Sequence, residues 1–143
     1  MTAAAERYWE DVQEGDELKG FSLELTMTRM VLQVSGSQDF YPIHHDPDFA
    51  RAAGHENIFI NTAFIRGCLC RLVTDWMGRA GFLKALGFQM RRPNWVGETI
   101  AVRGRVRKKQ SAGRIDLEVW IENARDAAVT VPGSATVILP SRS

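Results

Sequence analysis

The chain has 143 residues, 45% of them hydrophobic, which suits one compact domain over residues 1–143 and is too short for two ordinary domains. Eighteen Lys and Arg against seventeen Asp and Glu leave a net charge of +1, so no field of one sign favours nucleic acid or an anionic membrane. The sequence also lacks an apolar run of about 20 residues and an N-terminal secretory signal. We therefore expect a cytoplasmic protein that binds neither nucleic acid nor membrane.

The N-terminal third is predicted to form a strand, a helix and a polar stretch. Residues Phe21 to Thr28 alternate between apolar and polar, which indicates a half-buried strand. Thr28 has the chemistry of a helix N-cap, so a helix is predicted from there through Val34. The polar residues Ser35 to Gln38 are expected to end it.

A second, short helix is predicted after a loop. Asp46-Pro47 is typical of a helix start, and Gly54 suits the left-handed position that follows a helix, so we expect Pro47 to Ala53 to be helical. The residues Asp39 to His45 then remain as a loop.

The longest helix is predicted at Thr62 to Met77. Asn61 is a good N-cap and Gly78 a good terminator. Apolar residues between them recur in pairs at helical spacing: Phe64, Ile65, Cys68, Leu69, Leu72, Val73, Trp76 and Met77. Such a helix has one broad apolar face that must be covered.

Four strands in series follow the long helix. Segments rich in Val and Ile, separated by Pro, Gly and Asn, are predicted as strands at Phe82 to Arg91, Thr99 to Lys109, Arg114 to Asn123 and Ala127 to Leu139. An antiparallel β-sheet wrapped around the long central α-helix would cover the helix's apolar face, which predicts an α+β hotdog fold. In the alternative, a separate small barrel with peripheral helices, that face would lack a partner.

Cys68 and Cys70 are the only cysteines, and they lie two residues apart in an apolar run. A zinc site requires a second pair of ligands, which the sequence does not offer. We therefore predict that both are reduced packing residues and that the chain has no metal site. The stripe Arg103, Arg105 and Arg107 shares one face of a strand and is interpreted as a solvated face in preference to a binding site for CoA phosphates.

The densest group of ionisable residues is the loop Asp39 to His45. It sets Asp39 and His44 five positions apart around Pro42, which stiffens the turn. A carboxylate and an imidazole that face one pocket suit the addition or elimination of water. The spacing alone favours the plainer interpretation, a solvated turn with capping aspartates and surface histidines.

The string QDFYPIHHDPDFARAAG resembles the hydratase motif of MaoC-like proteins and (R)-specific enoyl-CoA hydratases, D-x-N-P-x-H. Asp39, Pro42 and His44 occupy its three matching positions. The segments YWEDVQEGDEL, LVTDWMG and RRPNWVGETIAVRGRV are also similar to that family, so the resemblance covers nearly the whole chain. Shared departures such as DFYPIHHDPDFA and NIFIN further resemble the small hydratase subunits of bacterial steroid side-chain degradation.

The resemblance implies that Asp39 and His44 activate the water added to a trans-2-enoyl-CoA thioester. CoA then enters as part of the substrate, and no cofactor is implied. The family usually has His-Gly where this chain has Asn61 and Thr62, and Asn where it has Tyr41. These three residues are the candidates for substrate binding, with the Thr62 backbone amide as the expected donor to the thioester oxyanion.

Two other functions remain open. A hotdog thioesterase would place its carboxylate on or near the central helix, where Asp75, at the far end, is a poor candidate. A subunit that binds acyl groups without turnover, as half of a heteromer, is the other. The resemblance also implies association as a homodimer or as a heteromer with a second hotdog chain, whereas the acyl group and the direction of the reaction are open.

Three aromatic residues near these segments are expected to have structural roles. His45 and His55 fall outside the family's histidine position, so we interpret both as exposed loop residues. Trp95 lies in the turn from Pro93 to Gly97 and is expected to pack against the edge of the core.

Overall fold

The structure is a computed structural model that describes residues 6–142. Five antiparallel strands form one sheet in the order β1-β3-β4-β5-β2. The strands are β1 (Phe21–Glu24), β2 (Phe82–Phe88), β3 (Thr99–Lys109), β4 (Arg114–Asn123) and β5 (Ala128–Ile138). The helices are α1 (Met27–Ser37), α2 (Pro47–Ala52) and α3 (Thr62–Met77). Within residues 6–142, no helix is long and apolar enough to cross a membrane.

Helix α3 begins and ends where its sequence predicts. The Asn61 side chain accepts a hydrogen bond from the Phe64 amide at 2.9 Å, and Gly78 follows the last turn with φ of 77°. A positive φ costs least at glycine, so the helix ends there. Seven of the helix's side chains are buried, namely Ile65, Cys68, Leu69, Leu72, Val73, Trp76 and Met77.

The sheet packs one face on α3. Alternate residues of β4 point to that face and are at most 1% exposed, namely Ile115, Leu117, Val119 and Ile121. Burying each such side chain stabilises the fold by about 1.5–3 kcal/mol. Arg103, Arg105 and Arg107 are exposed on the other face, where Arg103 pairs with Glu122 and Arg105 with Glu118. These contacts agree with the interpretation of the arginine stripe as a solvated face.

The prediction that Thr28 caps α1 is wrong. Thr26 is the N-cap, and its side chain accepts from the Arg29 amide at 3.3 Å. Leu25 is fully buried, and its backbone bonds to Glu98 and Gly97 on the neighbouring turn. This pairing turns the chain early, so β1 ends at Glu24 rather than Thr28.

The helix α1 also extends further than expected, to Ser37 rather than Val34. The Ser37 hydroxyl donates to the Gln33 carbonyl at 2.6 Å, which keeps the last turn helical. Gln38 then leaves the helix with φ of 57°. Strand β2 is shorter than predicted and ends at Phe88, although the backbone of residues 89–92 still donates hydrogen bonds to the β5 region.

Gly104 allows the sheet to approach α3 closely. A Cβ there would lie 3.1 Å from the Glu118 carbonyl oxygen and 3.2 Å from the Leu72 side chain. We expect Gly104→Val to lower the free energy of unfolding by about 1–3 kcal/mol, because extra methyl groups overpack the core. Denaturation in urea measures the change.

The matched control for this prediction is Gly67→Ala on α3. A Cβ at Gly67 meets nothing within 4 Å, and alanine forms helix more readily than glycine. We expect it to raise stability by about 0.5–1 kcal/mol. Equal stability changes of one sign in both variants would contradict the assigned packing.

Cys68 is predicted to resist alkylation in the folded protein. Burial raises the pKa of its thiol to about 11. Since the thiolate is the reactive form, iodoacetamide at neutral pH should modify Cys68 only after unfolding, as followed by peptide mass spectrometry. Modification as fast in the native protein as in denaturant would contradict the observed packing.

Candidate functional site

The predicted loop from Asp39 to His45 contains a 3-10 turn at Pro42–His44. Pro42 begins the turn, where its missing N–H costs no hydrogen bond. The His44 and His45 amides donate to the Tyr41 and Pro42 carbonyls, each at 3.1 Å. The turn therefore holds the His44 side chain in the interior, where the residue is 8% exposed.

The protonation pattern of His44 is set by its surroundings. Its Nδ1 atom lies 2.9 Å from the backbone carbonyl oxygen of Phe59. A carbonyl can only accept, so Nδ1 carries the proton in the neutral ring and Nε2 keeps a free lone pair. Nε2 lies 3.5 Å from Oδ2 of Asp39.

Asp39 is oriented toward His44 by two donors. Nδ2 of Asn61 donates to Oδ2 at 3.1 Å, and the Tyr41 amide donates to Oδ1 at 3.4 Å. The carboxylate is 39% exposed, whereas the His44 side chain is 10% exposed. A separation of 3.5 Å is too long for a strong direct hydrogen bond and too short for a water between the two atoms, so a water that donates to both would lie beside the pair.

Asn61 connects this pair to the start of α3. The residue is 2% exposed, and its Nδ2 atom donates both to Asp39 and to the Ser37 hydroxyl, the latter at 2.9 Å. Its Oδ1 atom accepts from Phe64 as the helix cap. All polar atoms of this side chain are therefore engaged within the protein, and its direct contact in the site is Asp39.

The first turn of α3 presents open amides next to Asn61, the residue that contacts Asp39. Thr62 is exposed, and neither its amide nor that of Ala63 has an acceptor among residues 6–142. Such amides lie at the positive end of the helix dipole and favour negative charge. A cleft of about 280 Å³ lies between this turn and α1, lined by Gln33, Gly36, Ser37, Ala63 and Phe64.

Tyr41 is exposed and lies beside His44. The residue is 54% exposed. Its ring lies edge-on to the rings of His44 and Phe49, with ring centroids 6.4 and 5.7 Å apart. Of the three substrate-binding candidates, Tyr41 thus lies beside His44, Asn61 contacts Asp39, and Thr62 follows Asn61 as the first residue of α3.

Sequence reasoning missed Gln33 and Ser37. Gln33 is buried, and its side chain donates to the Phe59 carbonyl at 3.2 Å and accepts from the Asn61 amide at 2.8 Å. Ser37 accepts from Asn61 and lies two residues before Asp39. A signal for Gln33 was present, since it falls on the same face of α1 as Met30 and Val34, where an apolar residue is usual.

The remaining aromatic residues have mixed outcomes. His45 is exposed, as predicted. The prediction that His55 is exposed is wrong, because the residue is half-buried. Its ring centroid lies 4.8 Å from that of Phe59 and 5.7 Å from that of Trp95. Trp95 packs against the core, as predicted.

Within residues 6–142, no three His, Cys, Asp or Glu side chains are grouped to hold a metal ion.

Comparison with known proteins gives a related sequence. No family model matches the chain. The chain is 34% identical over 79 residues to the 3-oxo-4,17-pregnadiene-20-carboxyl-CoA hydratase beta subunit of Mycobacterium tuberculosis. The match covers 55% of this chain and 61% of that protein, so it spans less than two thirds of the relative's length.

Solved structures extend the likeness to most of the chain. The ChsH1–ChsH2 complex from Mycobacterium tuberculosis contains a chain that matches with a TM-score of 0.83 and 27% identity, over 90% of this chain and 98% of that one. The unliganded R-hydratase PhaJ1 from Pseudomonas aeruginosa matches with a TM-score of 0.84 and 16% identity, over 94% and 86% of the two chains. A MaoC-like dehydratase from Rhodospirillum rubrum matches at 0.78 and 18%, over 96% and 99%. The predicted hotdog fold and the resemblance to MaoC-like hydratases are therefore confirmed.

Proposed function

We propose that this MaoC-like hotdog chain is a hydro-lyase, an enoyl-CoA hydratase or 3-hydroxyacyl-CoA dehydratase that acts on a trans-2-enoyl-CoA thioester. The observation that carries the proposal is the pair Asp39 and His44, whose facing atoms lie 3.5 Å apart at the open start of α3. The likeness to a hydratase subunit in sequence is an independent support.

The roles of the pair follow from their hydrogen bonds. Nε2 of His44 holds the free lone pair, because Nδ1–H donates to Phe59, so Nε2 takes the proton from water. The Asp39 carboxylate accepts the other hydrogen of the same water and orients it. As the water oxygen bonds to C3 of the enoyl group, the proton passes on to C2, and the thioester bond stays intact.

The Thr62 amide is the proposed donor to the thioester oxygen. Negative charge develops on this oxygen as water adds, and a donor already in place stabilises it without rearrangement. Thr62 follows Asn61, whose side chain contacts Asp39, so the amide and the water-binding pair adjoin the same space. The Thr62 side chain narrows the approach to that amide relative to glycine.

We propose no metal or resident cofactor for this reaction, with CoA entering as part of the substrate. The acyl group is proposed to be bulky, which is supported by the related hydratase subunit, whose name specifies a pregnadiene carboxyl-CoA. The exposed Tyr41, whose ring lies edge-on to that of His44, would then border the acyl group.

A second hotdog chain is proposed to complete the protein, as a homodimer or a heteromer. The likeness to one chain of a two-chain complex is one support. Exposed apolar side chains around the site, including Val31, Leu32, Phe40 and Phe49, are another. Light scattering on the purified chain, alone and with a candidate partner, tests this, and a stable monomer under both conditions would contradict it.

The reaction itself is tested by two signals recorded on one sample. Hydration lowers the absorbance of the conjugated enoyl-thioester, whereas a thioesterase releases CoA thiol. We expect loss of absorbance without thiol on short and bulky 2-enoyl-CoA substrates. Thiol release would favour the thioesterase, although Asp75 lies at the far end of α3 in an exposed pair with Arg71. If both signals are absent, with the chain alone and with a partner chain, the result would favour a non-catalytic subunit.

A further inference from the structure

We infer that Gln33 is a positioning residue that fixes the relative positions of the Asp39 and His44 side chains. This inference rests on the proposed function. The residue is 5% exposed on the buried face of α1, between Met30 and Val34. An amide in such a place costs free energy unless it is hydrogen-bonded, and an apolar side chain would pack there at lower cost. Its contacts identify what the amide does.

Gln33 takes the place of a strand partner for the segment before α3. Residues 58–60 pair through one backbone edge with residues 94–96. The Phe59 carbonyl and the Asn61 amide belong to the opposite edge. The Gln33 side chain satisfies both, donating to the carbonyl at 3.2 Å and accepting from the amide at 2.8 Å. One side chain therefore satisfies two backbone groups of this segment.

The same two residues hold the proposed catalytic pair. The Phe59 carbonyl accepts from Nδ1 of His44 at 2.9 Å, so both of its lone pairs are used. The Asn61 side chain donates to Asp39 at 3.1 Å. A displacement of residues 59–61 would thus change the tautomer of His44 and the direction of the Asp39 carboxylate together.

The substitution Gln33→Met, of similar size, removes both hydrogen bonds. We expect kcat to fall by about tenfold to a hundredfold with KM little changed, because small misplacements of reacting groups are costly, while the polar atoms of Gln33 are engaged by Met30, Phe59 and Asn61. Nitrogen-15 NMR of the neutral His44 ring should change from a single tautomer, protonated at Nδ1, to a mixture. The control is the exposed Thr28 of the same helix, changed to Val, which should alter neither kcat nor the ring signals.

The variant Gln33→Glu provides a second test that keeps the shape of the side chain. Its carboxylate still accepts from the Asn61 amide but, when ionised, no longer donates to the Phe59 carbonyl. The same change in the His44 ring signals is expected, so the inference stays testable if Gln33→Met does not fold. Unchanged ring signals in the folded variants, or an unchanged kcat, would overturn it. An inactive unmodified chain would contradict the proposed function instead, while the ring signals would still decide the role of Gln33.

Discussion

Replacing His44 with alanine should lower kcat for hydration by about a thousandfold, the usual contribution of a general acid or base. The substitution removes the one ring nitrogen that faces Asp39 with a free lone pair. The Phe59 carbonyl keeps its bond from Gln33, so the fold should survive. Initial rates of enoyl-thioester loss measure the effect, and circular dichroism confirms folding.

The adjacent histidine is the control for this prediction. His45 is exposed, and its Nε2 lies 3.0 Å from the Phe40 carbonyl rather than toward Asp39. His45→Ala should therefore leave kcat within about twofold, as surface substitutions usually change little. Similar losses in both variants would mean that the turn as a whole, and not His44, matters.

Asp39→Asn should lower kcat by about a hundredfold to ten-thousandfold while the shape of the side chain is kept. The Oδ2 atom of Asp39 both accepts from Asn61 and faces Nε2 of His44, while Oδ1 accepts from the Tyr41 amide. In either orientation, the NH2 group of an asparagine would therefore face a donor. One carboxylate acceptor is thus replaced by a donor, and the negative charge that stabilises protonated His44 is lost. KM should change less than kcat, because the loss falls on the chemical step.

Asp48→Asn is the matched control for the carboxylate. Asp48 lies on α2, its side chain is 97% exposed, and it pairs with the exposed Arg51. Such pairs contribute little, so both stability and kcat should stay close to those of the unmodified protein. Activity retained in Asp39→Asn, or lost equally in Asp48→Asn, would contradict the role given to Asp39.

Elements with strong local signals were predictable from the sequence. The bounds of α3, β3 and β4 match the structure, because a cap, a glycine or a clear periodicity marks each end. The start of α1 could not be chosen locally, since Thr26 and Thr28 are both acceptable caps. Burial of Leu25 and its pairing with the turn at Gly97 decide between them.

The candidate site was predictable only in part. The family resemblance singled out Asp39 and His44, and the fold brings them face to face. Their support from Gln33 depends on how α1 packs against a segment 26 residues later, which no local pattern encodes. The same holds for His55, whose burial arises from tertiary contact with Phe59 and Trp95.

The most direct test of the central claim compares hydration by Asp39→Asn, His44→Ala and the double variant with that by the unmodified chain. If both side chains act on one water, removing either already disables the unit, so the double variant should be no more than about threefold worse than the worse single variant. Losses that multiply would mean that the residues act independently. Hydration that survives the double substitution would show that the chemistry takes place elsewhere.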